Sequence, residues 1–186
     1  MTPATQLRSA IQRTLGRSLH IRHLDAGSCN GCDWEISALL NPYHDLQRLG
    51  IDVVASPRHA DLLLVTGIMT RNLEAAARLT YEAMPQPGLV VAVGACAISG
   101  NVFAGTYAGR SGIGDVLPVD VWIPGCPPRP EALIEGLLVA VGRLPGRAGA
   151  PAELEAGAGQ ASAQIGSPAA PANPEISPGS RRPPSR

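Results

Sequence analysis

The sequence contains no lysine: all fifteen of its basic residues are arginine, balanced by fifteen acidic ones. That absence excludes a Schiff-base lysine and a Walker-type phosphate lysine. Aromatic residues are scarce too, six in all, which leaves little for stacking on nucleic-acid bases. Zero net charge with no basic run gives no electrostatic footprint for nucleic acid. No apolar run approaches the ~18 residues that a spanning helix needs. No charged segment followed by an apolar one opens the chain, so no secretory signal is expected. Four cysteines in that setting point to a reducing compartment, where metal or redox chemistry is expected before disulfides.

What is abundant is unevenly placed. Proline and glycine make 39 of the 186 residues, and the 42 residues from Pro145 onward hold eight prolines, six glycines and ten alanines with no cysteine or aromatic. Such a stretch buries too little apolar surface to offset the entropy of ordering, so residues 145–186 read as a disordered tail. At the other end Leu7, Ile11 and Leu15 recur every four residues among Arg8, Arg13 and Arg17, and the first acidic residue is Asp25. Residues 1–17 therefore read as a short amphipathic helix. An Arg-rich, acid-free start is compatible with a transit peptide, a partner contact or an anionic membrane surface; the simplest reading of one narrow apolar stripe is packing.

Between these lies a working domain, residues 18–144. Strands are expected at 19–24, 51–55, 61–66, 89–93 and 119–123, and helices at 33–49 (interrupted near Pro42), 71–84 and 131–144, with Pro130 in the first turn of the last. The run Leu62-Leu63-Leu64-Val65 looks buried on both faces. Continuous apolar strands alternating with helices predict an α/β fold with an open parallel sheet covered on both faces.

The cysteines fall just beyond predicted strands: Cys29 and Cys32 after the first, Cys96 after the fourth and Cys126 after the fifth. In an open parallel sheet the carboxyl ends of the strands line one crevice, where ligands bind. Glycines beside each cysteine motif allow backbone to approach a bulky ligand. Four unrelated packed thiols are one reading. A thioredoxin-like Cys29-Asn30-Gly31-Cys32 pair is another, but it leaves Cys96 and Cys126 unexplained. Structural zinc usually takes two C-x-x-C knuckles, and only one is present. An iron–sulfur cluster accepts one C-x-x-C with two remote cysteines, the last followed by proline, as Cys126-Pro127 is. Ligand type and spacing alone put the cluster level with all the others together.

The segments Asp25-Ala-Gly-Ser-Cys-Asn-Gly-Cys-Asp-Trp-Glu35, Pro57-Arg-His-Ala-Asp-Leu-Leu-Leu-Val-Thr-Gly67, Gly94-Ala-Cys96 and Ile123-Pro-Gly-Cys-Pro-Pro128, in this order, resemble the small-subunit family of energy-converting hydrogenases. That family is shared with the 20 kDa subunit of NADH:quinone oxidoreductase (complex I). The resemblance covers about residues 18–144. It implies a flavodoxin-like domain with one [4Fe–4S] cluster at the carboxyl ends of the strands, held by Cys29, Cys32, Cys96 and Cys126. It further implies a membrane-associated, hydrogenase-like complex of the formate hydrogenlyase type, on the cytoplasmic face of the membrane. Its partners there would be a large hydrogenase-like (or 49 kDa-like) subunit holding the active-site metal, a ferredoxin-like iron–sulfur subunit and membrane subunits. Complex I subunits typically carry two adjacent cysteines where this chain has Gly31-Cys32, and C-x-x-C is the membrane-bound hydrogenase pattern. A complex I-like quinone oxidoreductase is the alternative, and a structural zinc module a more distant one.

Other residues are candidates near that edge. Glu35 is either a carboxylate favouring a helix N-terminus or, as the resemblance implies, a proton-relay group. Asp33 reads as a first-turn acid. Arg71 is either a helix-start surface residue or a contact to a partner or quinone headgroup, and Arg129 is similar. His59 reads as a structural histidine, and His20, His23 and His44 show no metal spacing. Trp34 and Trp122 flank cysteine motifs, where core or interface packing is expected of them, or shielding of a cluster.

Overall fold

The structure is a computed structural model and describes residues 2–144; the tail expected at 145–186 lies outside them. Helix α1 (Pro3–Thr14) leads to β1 (Leu19–Asp25), α2 (Gly31–Ala38), β2 (Ile51–Val53), β3 (Leu62–Thr66) and α3 (Arg71–Glu82). These are followed by β4 (Leu89–Val93), α4 (Ala95–Ser99), β5 (Val121–Ile123) and α5 (Pro130–Arg143). The five strands form one all-parallel sheet in the order β2-β1-β3-β4-β5. This is the flavodoxin-like order expected of an open α/β sheet. Among the described residues no helix is long and apolar enough to cross a membrane.

Side chains alternate across the sheet with the period of two that a pleated strand imposes. In β3, Leu62 and Leu64 join one core cluster while Leu63 and Val65 join the other. In β4, Leu89, Val91 and Val93 likewise face away from Val90 and Ala92. Residues of α1, α2 and α5 cover the first face, through Leu7, Ile11, Ile36, Leu133 and Leu137. Residues of α3 and α4 cover the second, through Ala77 and Ala97. Both central strands are buried throughout, because apolar residues on both faces need helices on both. The apolar stripe of α1 packs against α5, so the first helix is part of this core.

The expected second helix differs. The helical periodicity of 33–49 does not make one helix: α2 ends at Ala38, and a 3₁₀ turn covers Leu46–Leu49. Asn41 explains the break, because its side-chain oxygen accepts from the backbone N–H of Tyr43 (2.9 Å) and His44 (3.1 Å), closing a turn around Pro42. The short helix α4, which carries Cys96, is not visible as periodicity because it has five residues.

The segment after α4 is fastened to the β3–α3 junction. Arg71 N–H donates to the Ala108 carbonyl (2.9 Å) and Arg110 N–H to the Met69 carbonyl (3.0 Å). Arg110 also grips the Glu74 carboxylate (Nη2–Oε2 2.7 Å), with Arg78 on its other oxygen (3.3 Å). Hydrogen bonding by Arg110, and less by Arg78, holds Glu74 below the ordinary carboxylate range. A depressed folded-state pKa stabilises the fold above the unfolded carboxyl value of about 4.3, and that contribution is lost as pH falls through the lowered value. Urea midpoints of wild type and Glu74→Gln should therefore differ by a constant amount above about pH 5 and converge on acidification. An equal gap at low pH would show that the ion pair is not the source.

Candidate metal centre

The four cysteines come together beyond the carboxyl ends of β1, β4 and β5. After β1 the chain turns on Asp25, whose Oδ1 accepts from the N–H groups of Gly27 (2.8 Å) and Ser28 (2.7 Å). Asn30 then adopts a left-handed conformation (φ 68°) ahead of α2, which starts at Gly31 and carries Cys32. Asn can sit there because its short polar side chain tolerates that region. After β4, Gly94 (φ 89°) redirects the chain into α4 and Cys96. The loops after β4 and β5 are tied to each other: Gly94 N–H donates to the Ile123 carbonyl (2.8 Å) and Ala95 N–H to the Gly125 carbonyl (2.7 Å). Cys126 is thereby set opposite Cys96.

The thiols sense one another. Burial pushes the Cys32 thiol up to about 11, reinforced by Asp33 and then by the other three cysteines. Burial also raises Cys96, with Cys126 and Cys29 adding to the shift and the Asn101 side chain opposing it. The Asn101 amide donates to Cys126 Sγ at 3.5 Å. Cys32 and Cys96 are half-buried, whereas Cys29 and Cys126 are exposed, and all four are free thiols. Among the described residues no three His, Cys, Asp or Glu side chains are spaced to grip a single metal ion. Close backbone approach is built in at Gly94, where a Cβ would lie 2.6 Å from Cys32 Sγ, whereas one on Gly31 would make only an ordinary contact with Cys29 Sγ, at 3.6 Å.

Beneath the cysteine loop lies a polar knot. Asp33 accepts from Thr66 Oγ1 (2.8 Å) and from Ser28 Oγ, and it stands 3.0 Å from His23 Nε2, which is also 3.1 Å from Thr66 Oγ1. Thr66 is completely buried at the end of β3. Asp33 is thus a first-turn acid, as expected, and in addition the brace between the Cys29–Cys32 loop and the sheet. Burial lowers the His23 pKa, with Asp33 and Asp25 opposing.

The remaining candidates divide. Glu35 is half-buried on α2, and its carboxylate makes no hydrogen bond among the described residues. Arg71 and Arg129 are exposed where α3 and α5 begin. His20 bonds through Nδ1 to the His59 carbonyl (3.1 Å), and the exposed His59 is in a 3₁₀ turn. His44 packs edge-on against Tyr43. Core packing of the tryptophans is not seen: Trp34 is 74% exposed and Trp122 37%. Asn101 and Thr66 were not marked by the sequence. No motif distinguishes an asparagine that follows a glycine, or a threonine that ends an aliphatic strand.

Residues 29–140, more than half of the chain, match the family described as NADH ubiquinone oxidoreductase, 20 Kd subunit. The chain belongs to that family. A probable membrane-bound hydrogenase subunit, mbhJ of Pyrococcus furiosus, is 47% identical over 130 residues, covering 70% of this chain and 78% of that protein. Formate hydrogenlyase subunit 7 of Escherichia coli is 42% identical over 138 residues, 74% of this chain, but the match spans only 54% of the E. coli protein. An NADH-quinone oxidoreductase subunit of Citrifermentans bemidjiense is 52% identical over 107 residues, 58% of this chain and 62% of that protein. Among solved structures, a chain of the membrane-bound sulfane sulfur reductase, an archaeal respiratory membrane complex, aligns at TM-score 0.60 and 34% identity, over 76% of this chain and 75% of that one. An NAD+-reducing [NiFe]-hydrogenase chain, at 21% identity and TM-score 0.53, shares the fold. Members of this 20 kDa family named among these relatives are thus subunits of hydrogenase-like and complex I-type oxidoreductases.

Proposed function

We propose that this chain is the electron-transfer subunit of a membrane-associated, hydrogenase-like complex, with one [4Fe–4S] cluster held by Cys29, Cys32, Cys96 and Cys126. The observation that carries this is the gathering of four thiols from three strand ends at one sheet edge, in a chain of the 20 kDa family. The donor set is wholly sulfur, the soft type that iron–sulfur clusters use. Gly94 leaves the thiol of Cys32 close against backbone, where a side chain would crowd it. When bound, such a cluster takes up and releases one electron at a time. The protein's part is to fix its potential and its distance to the next carrier. Asn101 is placed to donate an N–H to the Cys126 sulfur, a contact of the kind that raises cluster potentials.

The exposed aromatics support a partner against this edge. Trp34 lies two residues after Cys32, and the segment after α4 exposes Phe103 and Tyr107, the latter 91%. Exposed aromatics of this kind mark interaction surfaces. The partner would be a large subunit holding the catalytic centre, with a ferredoxin-like subunit and membrane subunits beyond it, on the cytoplasmic face. Glu35 and Arg71 would face that partner, Glu35 as a proton-carrying group and Arg71 as a contact to it or to a quinone headgroup. The C-x-x-C spacing favours the hydrogenase type, while the 52% identity to a subunit of an NADH-quinone oxidoreductase favours a quinone-linked complex. Two C-x-x-C pairs in the co-purifying large subunit would decide for hydrogenase, and their absence for the quinone-linked reading.

The direct test is anaerobic purification with metal analysis and low-temperature EPR. About four irons per chain and a signal on reduction are expected, with iron lost in Cys96→Ala. Zinc without iron, or undiminished iron in that variant, would overturn the cluster assignment.

A further inference from the structure

The end of the sheet remote from the cysteines carries a second feature. Ser18 and Gly50 immediately precede β1 and β2, and between α1 and the 3₁₀ turn Leu46–Leu49 they help line an open cleft of about 310 Å³. Its polar lining comes from Arg8, Gln12, Arg17, Ser18, Gln47 and Arg48, over a floor of buried Ile11 and Leu49. Among the described residues no acidic side chain lines it. Because the strands are parallel, the cleft sits at their amino ends, while all four cysteines sit past their carboxyl ends.

The three arginines are not equivalent. Arg17 is held by Asp61 through two hydrogen bonds (2.8 and 2.6 Å) and also donates from Nη1 to the Ser18 carbonyl. That fixes its guanidinium and leaves Nε–H and one Nη2–H available. Arg48 makes one longer contact to Asp45, at 3.5 Å. Arg8 makes no ion pair among the described residues. The net attraction is thus centred on Arg8, set in a stretch of chain whose first 24 residues contain four arginines and no acid. Guanidinium groups match the tetrahedral oxygens of phosphate by paired N–H donors, and the two glutamine amides add neutral donors.

We infer that this cleft binds a phosphate-type anion, a soluble phosphate or a phospholipid headgroup, with Arg8 and Arg48 as the principal contacts and Arg17 as a pre-set donor. The inference is independent of the cluster assignment. The full-length chain is titrated with inorganic pyrophosphate by calorimetry and is co-sedimented with phosphatidylglycerol vesicles. Arg8→Gln is compared with Arg13→Gln, which removes the same charge from the same helix outside the cleft. Loss of one paired guanidinium contact should weaken binding about tenfold or more in Arg8→Gln, while Arg13→Gln stays near wild type. Saturable, Arg8-dependent binding of pyrophosphate alone means a soluble ligand. Arg8-dependent binding of vesicles alone means a lipid headgroup, and of both a site for the shared phosphate group. Absence of binding to either probe, or equal weakening by the two substitutions, would overturn the site. Circular dichroism of Arg8→Gln confirms that the variant being compared is folded.

Discussion

Gly94→Ala should abolish loading of the cysteine site while leaving the sheet in place. Gly94 combines φ 89° with ψ 159°, a region essentially reserved for glycine. A Cβ there would lie 2.6 Å from Cys32 Sγ and 3.5 Å from the Gly125 carbonyl oxygen. The nearest obstacle is a proposed ligand atom, so relief comes most directly from moving that sulfur. Backbone strain of about 1–3 kcal/mol would lower stability, but far-UV circular dichroism should keep its α/β signature. Iron content should fall close to zero. Gly142→Ala is the matched control: among the described residues nothing beyond its own chain neighbours and helix backbone stands within 4 Å of its Cβ position, and it lies inside α5. That change should be neutral or stabilising by up to about 1 kcal/mol. Full iron content in Gly94→Ala would mean that Cys32 is not held where the cluster reading needs it.

The parts of this molecule that could be read from sequence are those carried by repetition. The unbroken aliphatic runs of β3 and β4 announce strands buried on both faces, and the strand–cysteine spacing announces a shared edge, since a parallel sheet puts every strand's carboxyl end on one side. Leu7 and Ile11 reveal the buried stripe of α1 in the same way. What stayed hidden depends on single long-range contacts. Asp33 looks like any first-turn acid until Thr66, 33 positions later, donates to it. The end of α2 is set by a side-chain-to-backbone turn at Asn41, which competes with the apolar periodicity of residues 36–49 and prevails. The placement of the aromatics was likewise beyond composition. The core is built mainly from Leu, Ile, Val and Ala, and five of the six aromatics lie on the surface.

Gly67→Ala separates the fold from the site. Gly67 follows β3 directly with φ 90°, and its added Cβ would lie 2.6 Å from both Gly27 C and Ser28 N. These are backbone atoms of the loop that Asp25 has already closed, and the same loop is anchored to β3 by Ala26 N–H donating to the Thr66 carbonyl (2.8 Å). No rotamer change relieves that contact, so either β3 or the loop must shift. Positive-φ strain and overpacking together should cost about 2–5 kcal/mol. The expected result is a lower urea midpoint in the metal-free protein with an unchanged m value, since the native and unfolded states expose the same surface as before. Gly27→Ala offers the contrast. It carries the same positive-φ penalty (φ 103°), but its clash is with Thr70 Cγ2, a side-chain methyl. Thr70→Ser deletes that methyl and should restore part of the stability lost in Gly27→Ala, whereas it should do nothing for Gly67→Ala. Rescue of both by Thr70→Ser would show that the loop, and not the backbone contact at Gly67, limits how closely β3 and the cysteine turn pack.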